Sequence, residues 1–579
     1  MVSPYDLVIR RGTIVDGTGK PGHNGDVAIK HGRIAAVGKV EGSGKDEIDA
    51  TGRLVTPGFV DIHTHYDGHV TWTNRLSPSA QHGVTTALMG NCGVGFAPCR
   101  PKDRSLLIHL MEGIEDIPEV VMTEGLPWNW ESFPDYLDRI EQRQYDIDVA
   151  IQLPHGALRV YVMGKRALTR DPATRDDIAQ MRKLTRESVE AGAFGFSTSR
   201  NAFQQTTAGM VTPTYRACAD ELAGIALGLR DANRGVLQLV TDFDDINADF
   251  GIMRRMMAES GRPLSISLVQ IHHKPDEWRW YLDQIKRAAD EGFPIKGQVS
   301  GRPVGIFLGL QLARNPFMRT AGYRDLEHLP IAERVKQMQD PAMRARILAE
   351  MPGDMSAVDK TFMTTYDRMY EFIGDYEPGP ERNLNARAAG LGIEPVALAY
   401  DVLTAGDGTA ILCMPIANFA GNSIAAVEAM MSHEHTVLGL GDAGAHLGMI
   451  FDASMTTYMI ERWSNVGRGT IPIERVIKAL TSETAQAIEL NDRGVIAAGY
   501  RADLNVIDTS RIAVGRHELA RDLPGGRQRL HQAATGYDAT IVAGEIIYRE
   551  GVATGALPGR LIRSAPRSGP QSVQRSLQL

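Results

Sequence analysis

PGFVDIHTHYDGH, residues 57–69, sets the reading of the whole chain. A Pro57-Gly58 turn launches a short apolar-rich run, Phe59–Ile62, which reads as a strand. Side chains alternate along a strand, so His63 and His65 project to the same side. Two neutral imidazoles converging at a strand's C-terminal end make half of a transition-metal site. A bare His-x-His pair is most often a pair of surface or hydrogen-bonded histidines, so the rest of the chain has to decide.

Outward from this point, strands alternate with helices. GVTTALMGNCG and DVAIQLPHG read as strands, and a charged helix (ATRDDIAQMRKLTRESVEAG) leads into the strand AFGFSTS. The helix CADELAGIALGLRDANRG, the strand GVLQLVTDF, PLSISLVQIHH and PIKGQVS continue the rhythm, and HTVLGLGDAG supplies a late strand. Such βα alternation predicts an α/β fold with a parallel sheet, and eight such units close a TIM-like (β/α)8 barrel, here over 57–490. Residues 311–395 interrupt it with helical, Arg-, Met- and Pro-rich sequence, read as an insertion serving as a lid or an oligomer contact. Residues 1–56 and 491–555 carry alternating apolar and polar runs separated by glycine turns, predicting a small β-sandwich built from both termini. The stretch 556–579, with Arg560, Arg563, Arg567 and Arg575 and no acid, reads as a flexible tail.

Three more strand ends bear chemistry. Cys92 lies in GNCG, where a thiolate can ligate or bridge metal ions. His272 closes LSISLVQI with Lys274 nearby, and Asp442 closes VLGLGDAG among small residues that leave room for a substrate. Singly, each has an ordinary structural use. Together they occupy the C-terminal ends of barrel strands, where barrel enzymes place their sites.

Composition sets the outer bounds. A net charge of −8 over 579 residues gives no general nucleic-acid surface. Four scattered cysteines make no disulfide framework and point to a reducing, cytoplasmic setting, as does the lack of an export-signal pattern at the N-terminus. No window nears 18 uninterrupted apolar residues, so no membrane span is expected.

The chain resembles the amidohydrolase superfamily and, within it, the N-acyl-D-amino-acid deacylase (D-aminoacylase) group. The resemblance rests on DLVIRRGTIVDGTG (6–19), PGFVDIHTHYD, GVTTALMGNCGVGFAP (83–98), RVYVMG (159–164), AGAFGFSTS (191–199), IHHK (271–274), GDAG (441–444) and RGVIAAGYRADLNVID (493–508). It implies a site of one or two Zn2+ ions. His63, His65 and Asp442 match the first metal position, Cys92 the cysteine that replaces a carboxylated lysine, and His272 a second-site histidine. Lys274 matches a contact to the substrate carboxylate.

Two departures stand out. Asp242 falls where the family carries a second-site histidine, and is expected either to ligate metal or to serve as a loop carboxylate. After Asp442 the family's arginine is missing; Arg302 in GQVSGRPVG is the candidate to replace it, against the ordinary reading of a solvated or salt-bridged arginine. The expected reaction is hydrolysis of a small N-acyl amino acid with an anionic group by a metal-bound hydroxide, Asp442 acting as the catalytic acid–base. A hydantoinase- or dihydropyrimidinase-like cyclic amide hydrolase is the alternative, though such enzymes generally use a lysine where this chain has GNCG. A catalytically silent scaffold on the same fold is the other. A homo-oligomer is compatible with all three.

Overall fold

The computed structural model describes residues 4–202, 204–206, 209–242, 245–350, 353 and 357–565. Eight parallel stretches organise its centre: β1 (Phe59–Asp61), β2 (Val84–Met89), β3 (Asp148–Ile151, continued by Leu153–Pro154), β4 (Gly195–Arg200), β5 (Val236–Thr241), β6 (Leu264–Ser267), β7 (Ile295–Val299) and β8 (Thr436–Leu438). β1 pairs with β2 and β2 with β3; the continuation of β3 pairs with β4, and the ladder runs on through β5, β6 and β7 to β8, every pairing parallel. A parallel bridge between Thr64 and Ala443 links the segment after β8 to the segment after β1. β2 and the first part of β3 are buried at every position, which is why they read as near-continuous apolar runs.

The intervening helices are ordinary amphipathic ones. Glu277–Asp290 buries Trp278, Tyr281, Leu282, Ile285 and Ala288, a spacing of three and four residues that forms one face. Arg175–Glu190 starts at a capping box, with the Thr174 side chain accepting from Asp177 N and the Asp177 carboxylate accepting from Thr174 N.

Both ends of the chain meet in one nine-stranded sheet. Leu54–Pro57 from the N-terminal part pairs antiparallel with Leu504–Ile507 from the C-terminal part. Its core is aliphatic: Leu7, Ile9, Val27, Ile29, Val55, Leu504, Val506 and Ile541. A buried ion network ties this sheet to β3. Arg493 Nη1 lies 2.7 Å from Asp148 Oδ2, Arg501 Nη2 donates to Asp148 Oδ1 at 2.9 Å, and Asp503 Oδ2 lies 3.4 Å from Arg493. Removing one member of such a network costs about 3–5 kcal/mol, because it strands a buried charge.

Three features depart from the sequence reading. Ala513–Leu523 and Arg527–Thr535 leave the terminal sheet and form a separate antiparallel hairpin. The insertion is framed by strands: Val304–Leu308 pairs antiparallel with Leu412–Ala417, which also holds Tyr370–Glu371, and its helices pack on their own core of Leu308, Phe317, Val335, Met338, Leu398 and Met414. Residues 559–564, read as loose tail, lie along the parallel strands instead. Val149 N donates to Arg560 O (3.0 Å), Ile562 N to Val149 O (2.8 Å), and Arg563 pairs with Asp138 and Glu141. The remainder of the expected tail, 566–579, lies outside the described residues. Among the described residues no helix is long and apolar enough to cross a membrane.

Candidate active site

His63 and His65 follow β1 directly, and their backbone is held from both sides. Thr64 N donates to Leu88 O on β2 (3.0 Å), while His65 N donates to Ala443 O (2.7 Å) and Asp442 N to His63 O (3.0 Å). The two imidazoles are thereby set beside the ends of β2 and β8. The GNCG turn brings Cys92 in. Gly90 turns at φ +80°, and a Cβ there would sit 2.3 Å from Gln152 O, so the close approach requires glycine. Cys92 itself holds φ 54°, fixed by donation from its N–H to Gln238 Oε1 at 3.0 Å. Asp442 also takes a left-handed conformation, φ 44°.

The donor atoms of His63, His65 and Cys92 all lie within 4.8 Å of one another in a buried pocket of the fold. His63 Nε2 is 3.2 Å from Cys92 Sγ and 3.2 Å from Asp442 Oδ1, and His65 Nε2 is 3.5 Å from the same carboxylate oxygen. On the other side of its ring, His63 Nδ1 lies 2.6 Å from Gln298 Oε1, an oxygen that only accepts. That contact fixes a proton on Nδ1 and turns Nε2, the nitrogen that would ligate a metal, toward Cys92 and Asp442. The edges of a tetrahedron with arms of about 2.1 Å are about 3.4 Å long, so these separations suit an ion the size of zinc. Imidazole nitrogen, thiolate sulfur and carboxylate oxygen are all donors that zinc accepts. The residues fit such a metal.

Electrostatics agree with the geometry. Burial disfavours the His63 imidazolium, yet the Cys92 thiolate and Asp442 carboxylate outweigh it and raise its pKa to about 9. Burial likewise pushes the Cys92 thiol up, and His63 and His65 more than reverse this, leaving it below the usual thiol range. Asp442 is held well below the carboxylate range, because the same two imidazoles overcome its burial. The pocket is thus built to gather positive charge between a thiolate and a carboxylate.

The other candidates lie apart from this group. Asp242 follows β5, and its Oδ2 accepts from Ala202 N at 2.5 Å, closing the loop after β4. β6 ends at Ser267, so His272 is not on a strand: it sits in a turn bridged by Ile271 and Lys274. Burial lowers the His272 pKa to about 4, and its surroundings are Arg368, Asp367 and the Pro415 backbone, which belong to the insertion. Neither residue contributes to the group formed by His63, His65 and Cys92. Lys274 is exposed and pairs with Glu277 one turn away (3.0 Å). Arg302 is fully buried. Its guanidinium donates to Asp452, to Ser454 Oγ (2.8 Å) and to Phe451 O, and stacks 4.3 Å from the centroid of the Tyr376 ring. It is committed to holding the segment after Asp442, which corrects the expectation of a free substrate-binding arginine.

Several participants were passed over in the sequence. Gln298 and Gln238 are buried polar residues inside the apolar strands IKGQV and VLQLV, a readable signal of an inward-facing role. Glu115 stands beside His65, and His446 beside Glu115; neither had such a signal.

Comparison with known proteins gives the family. The amidohydrolase family model matches residues 46–548. The chain is 26% identical over 522 residues to N-acyl-D-aspartate deacylase of Alcaligenes xylosoxydans xylosoxydans, covering 88% of this chain and 86% of that protein. It is 31% identical over 274 residues to D-aminoacylase of the same organism, covering 47% of this chain and 51% of that one. The fold is similar to that of N-acyl-D-glutamate deacylase from Bordetella bronchiseptica, solved with zinc and a phosphonate inhibitor, at 22% identity and a TM-score of 0.62, covering 97% of this chain and all of that one. The chain belongs to the amidohydrolase family and is a hydrolase of amide C–N bonds.

Proposed function

We propose that this enzyme removes the acyl group from N-acyl-D-amino acids at a single zinc ion held by His63, His65, Cys92 and Asp442. The observation that carries the reading is the convergence of those four side chains, with three contacts of 3.2–3.5 Å among their donor atoms. Bound zinc would acidify water and polarise the scissile carbonyl. Gln298 holds the His63 ring so that Nε2 faces the cluster. Asp442, ionised at neutral pH, takes the proton of the attacking water and returns it to the leaving nitrogen. Cys92 acts as a ligand and not as a nucleophile, so no acyl-enzyme forms. Asp242 and His272 act as loop-building residues, which is why we read one metal and not two. Lys274 is the proposed contact for the substrate carboxylate; Arg302 is withdrawn from that role by its burial and its partner Asp452.

In the same reading, the eight parallel stretches close through the Thr64–Ala443 bridge into a (β/α)8 barrel, and the terminal sheet forms a β-sandwich beside it. The excursion between β7 and β8 covers the catalytic end, supported by Phe307 N and Ala313 N donating to Met449 O and Gly448 O (2.7 and 3.1 Å), just past Asp442. Four cysteines without disulfides favour the cytoplasm.

The test is amine release from matched N-acyl-D- and N-acyl-L-amino acids by zinc-loaded enzyme, with a chelator control. Chelator-sensitive cleavage confined to the D series is expected. Zinc-loaded enzyme that cleaves neither series and instead opens cyclic amides would overturn the substrate assignment.

A further inference from the structure

Glu115 is the last residue of the helix Arg104–Glu115, after which the chain turns at Asp116 with φ 52°. Its carboxylate is buried, 2% exposed, between two imidazoles from different parts of the chain. Oε1 lies 3.6 Å from His65 Nδ1 and Oε2 lies 3.7 Å from His446 Nε2. Neither His65 Nδ1 nor Glu115 Oε2 has a hydrogen-bond partner. A buried carboxylate oxygen left in that state is costly, and so is a buried ring nitrogen. Each lies within a few tenths of an ångström of hydrogen-bond length from a partner: His65 Nδ1 from Glu115 Oε1, and Glu115 Oε2 from His446 Nε2.

The same helix end is fastened to the segment that carries Asp442. Glu115 O accepts from His446 N at 2.5 Å, and Asp116 Oδ2 accepts from Gly448 N at 3.2 Å. That segment needs fastening, since Asp442 and His446 both hold left-handed backbone conformations, φ 44° and 51°. One short stretch of helix therefore touches the outer nitrogen of one donor and the backbone beyond another.

We propose that Glu115 is a positioning residue for the metal centre: its carboxylate accepts the Nδ1–H of His65, so that His65 Nε2 faces the cluster, and it holds His446 and the Asp442 segment in register. This rests on the zinc-site reading above. His63 and His65 are then oriented by two different devices, a neutral amide (Gln298) behind one and an anionic carboxylate behind the other. The carboxylate makes its imidazole the more electron-rich donor.

The experiment measures zinc affinity by chelator competition, and the visible spectrum of the cobalt(II)-substituted protein, for wild type, Glu115→Gln, Glu115→Ala and His63→Ala. Folding of each is checked by thermal melting. Glu115→Ala is expected to weaken zinc about 10–100-fold and to shift the cobalt bands. Glu115→Gln, which keeps the shape and one accepting oxygen, should fall between it and wild type, and decides the matter if the alanine variant does not fold. Wild-type affinity and an unchanged cobalt spectrum in folded Glu115→Gln and Glu115→Ala, with metal lost in His63→Ala, would overturn the role of Glu115 alone. Wild-type affinity in His63→Ala as well would overturn the zinc-site reading beneath it.

Discussion

Two arcs of the same parallel strand array meet different fates. Around β1, β2 and β8, strand ends that look unremarkable in isolation bring His63, His65 and Cys92 within 4.8 Å of one another, with Asp442 against both imidazoles. Around β5 and β6, the corresponding positions carry Asp242 and His272, and both turn to local tasks. Asp242 caps the loop after β4, and His272 sits in a turn against the insertion. The first arc is braced by long-range contacts: Gln298 behind His63, Gln238 under the Cys92 amide, and Glu115 beside His65. In the first arc, neighbouring elements supply the bracing that sets the donor atoms toward one another.

The largest effect should come from Asp442, the proposed catalytic carboxylate. Asp442→Asn keeps the shape and lowers kcat by about 10²–10⁴-fold, while elemental analysis still finds zinc. Normal turnover in that variant would break the assignment of the first arc. Next in size is Cys92→Ser. The hydroxyl of serine stays protonated where the thiolate is anionic, so zinc affinity by chelator competition should fall about 100-fold, with the fold retained. The smallest effect belongs to the second arc: Asp242→Ala and His272→Ala, alone or together, should leave kcat within about threefold, since neither side chain touches the cluster. A loss comparable to that of Asp442→Asn would erase the distinction between the arcs.

How much of this was visible in the residues follows the same division. That His63, His65, Cys92 and Asp442 would come near one another was legible because the position of each just past a strand is a local property. His272 was misread as a strand residue because the apolar run SLVQI continues past Ser267, where the pairing stops. Arg302 looked free because its partners, Phe451, Asp452 and Ser454, lie about 150 residues away and no local pattern announces them. Gln238 and Gln298 were legible in principle, as lone amides inside apolar strands. Glu115 was not. It ends an amphipathic helix like many other acids, and its role exists only once the fold brings His65 and His446 to it. The hairpin of 513–535 and the strap of 559–564 have strand-like or loose composition that says nothing about what they pair with.

The most direct test of the account is a zinc titration of metal-free wild-type enzyme, reading bound zinc per chain and amide hydrolysis together. Activity that rises to its maximum at one zinc per chain, and does the same in the Asp242→Ala/His272→Ala double variant, is the predicted result. Activity that requires a second equivalent in the wild type, and disappears in the double variant, would contradict it.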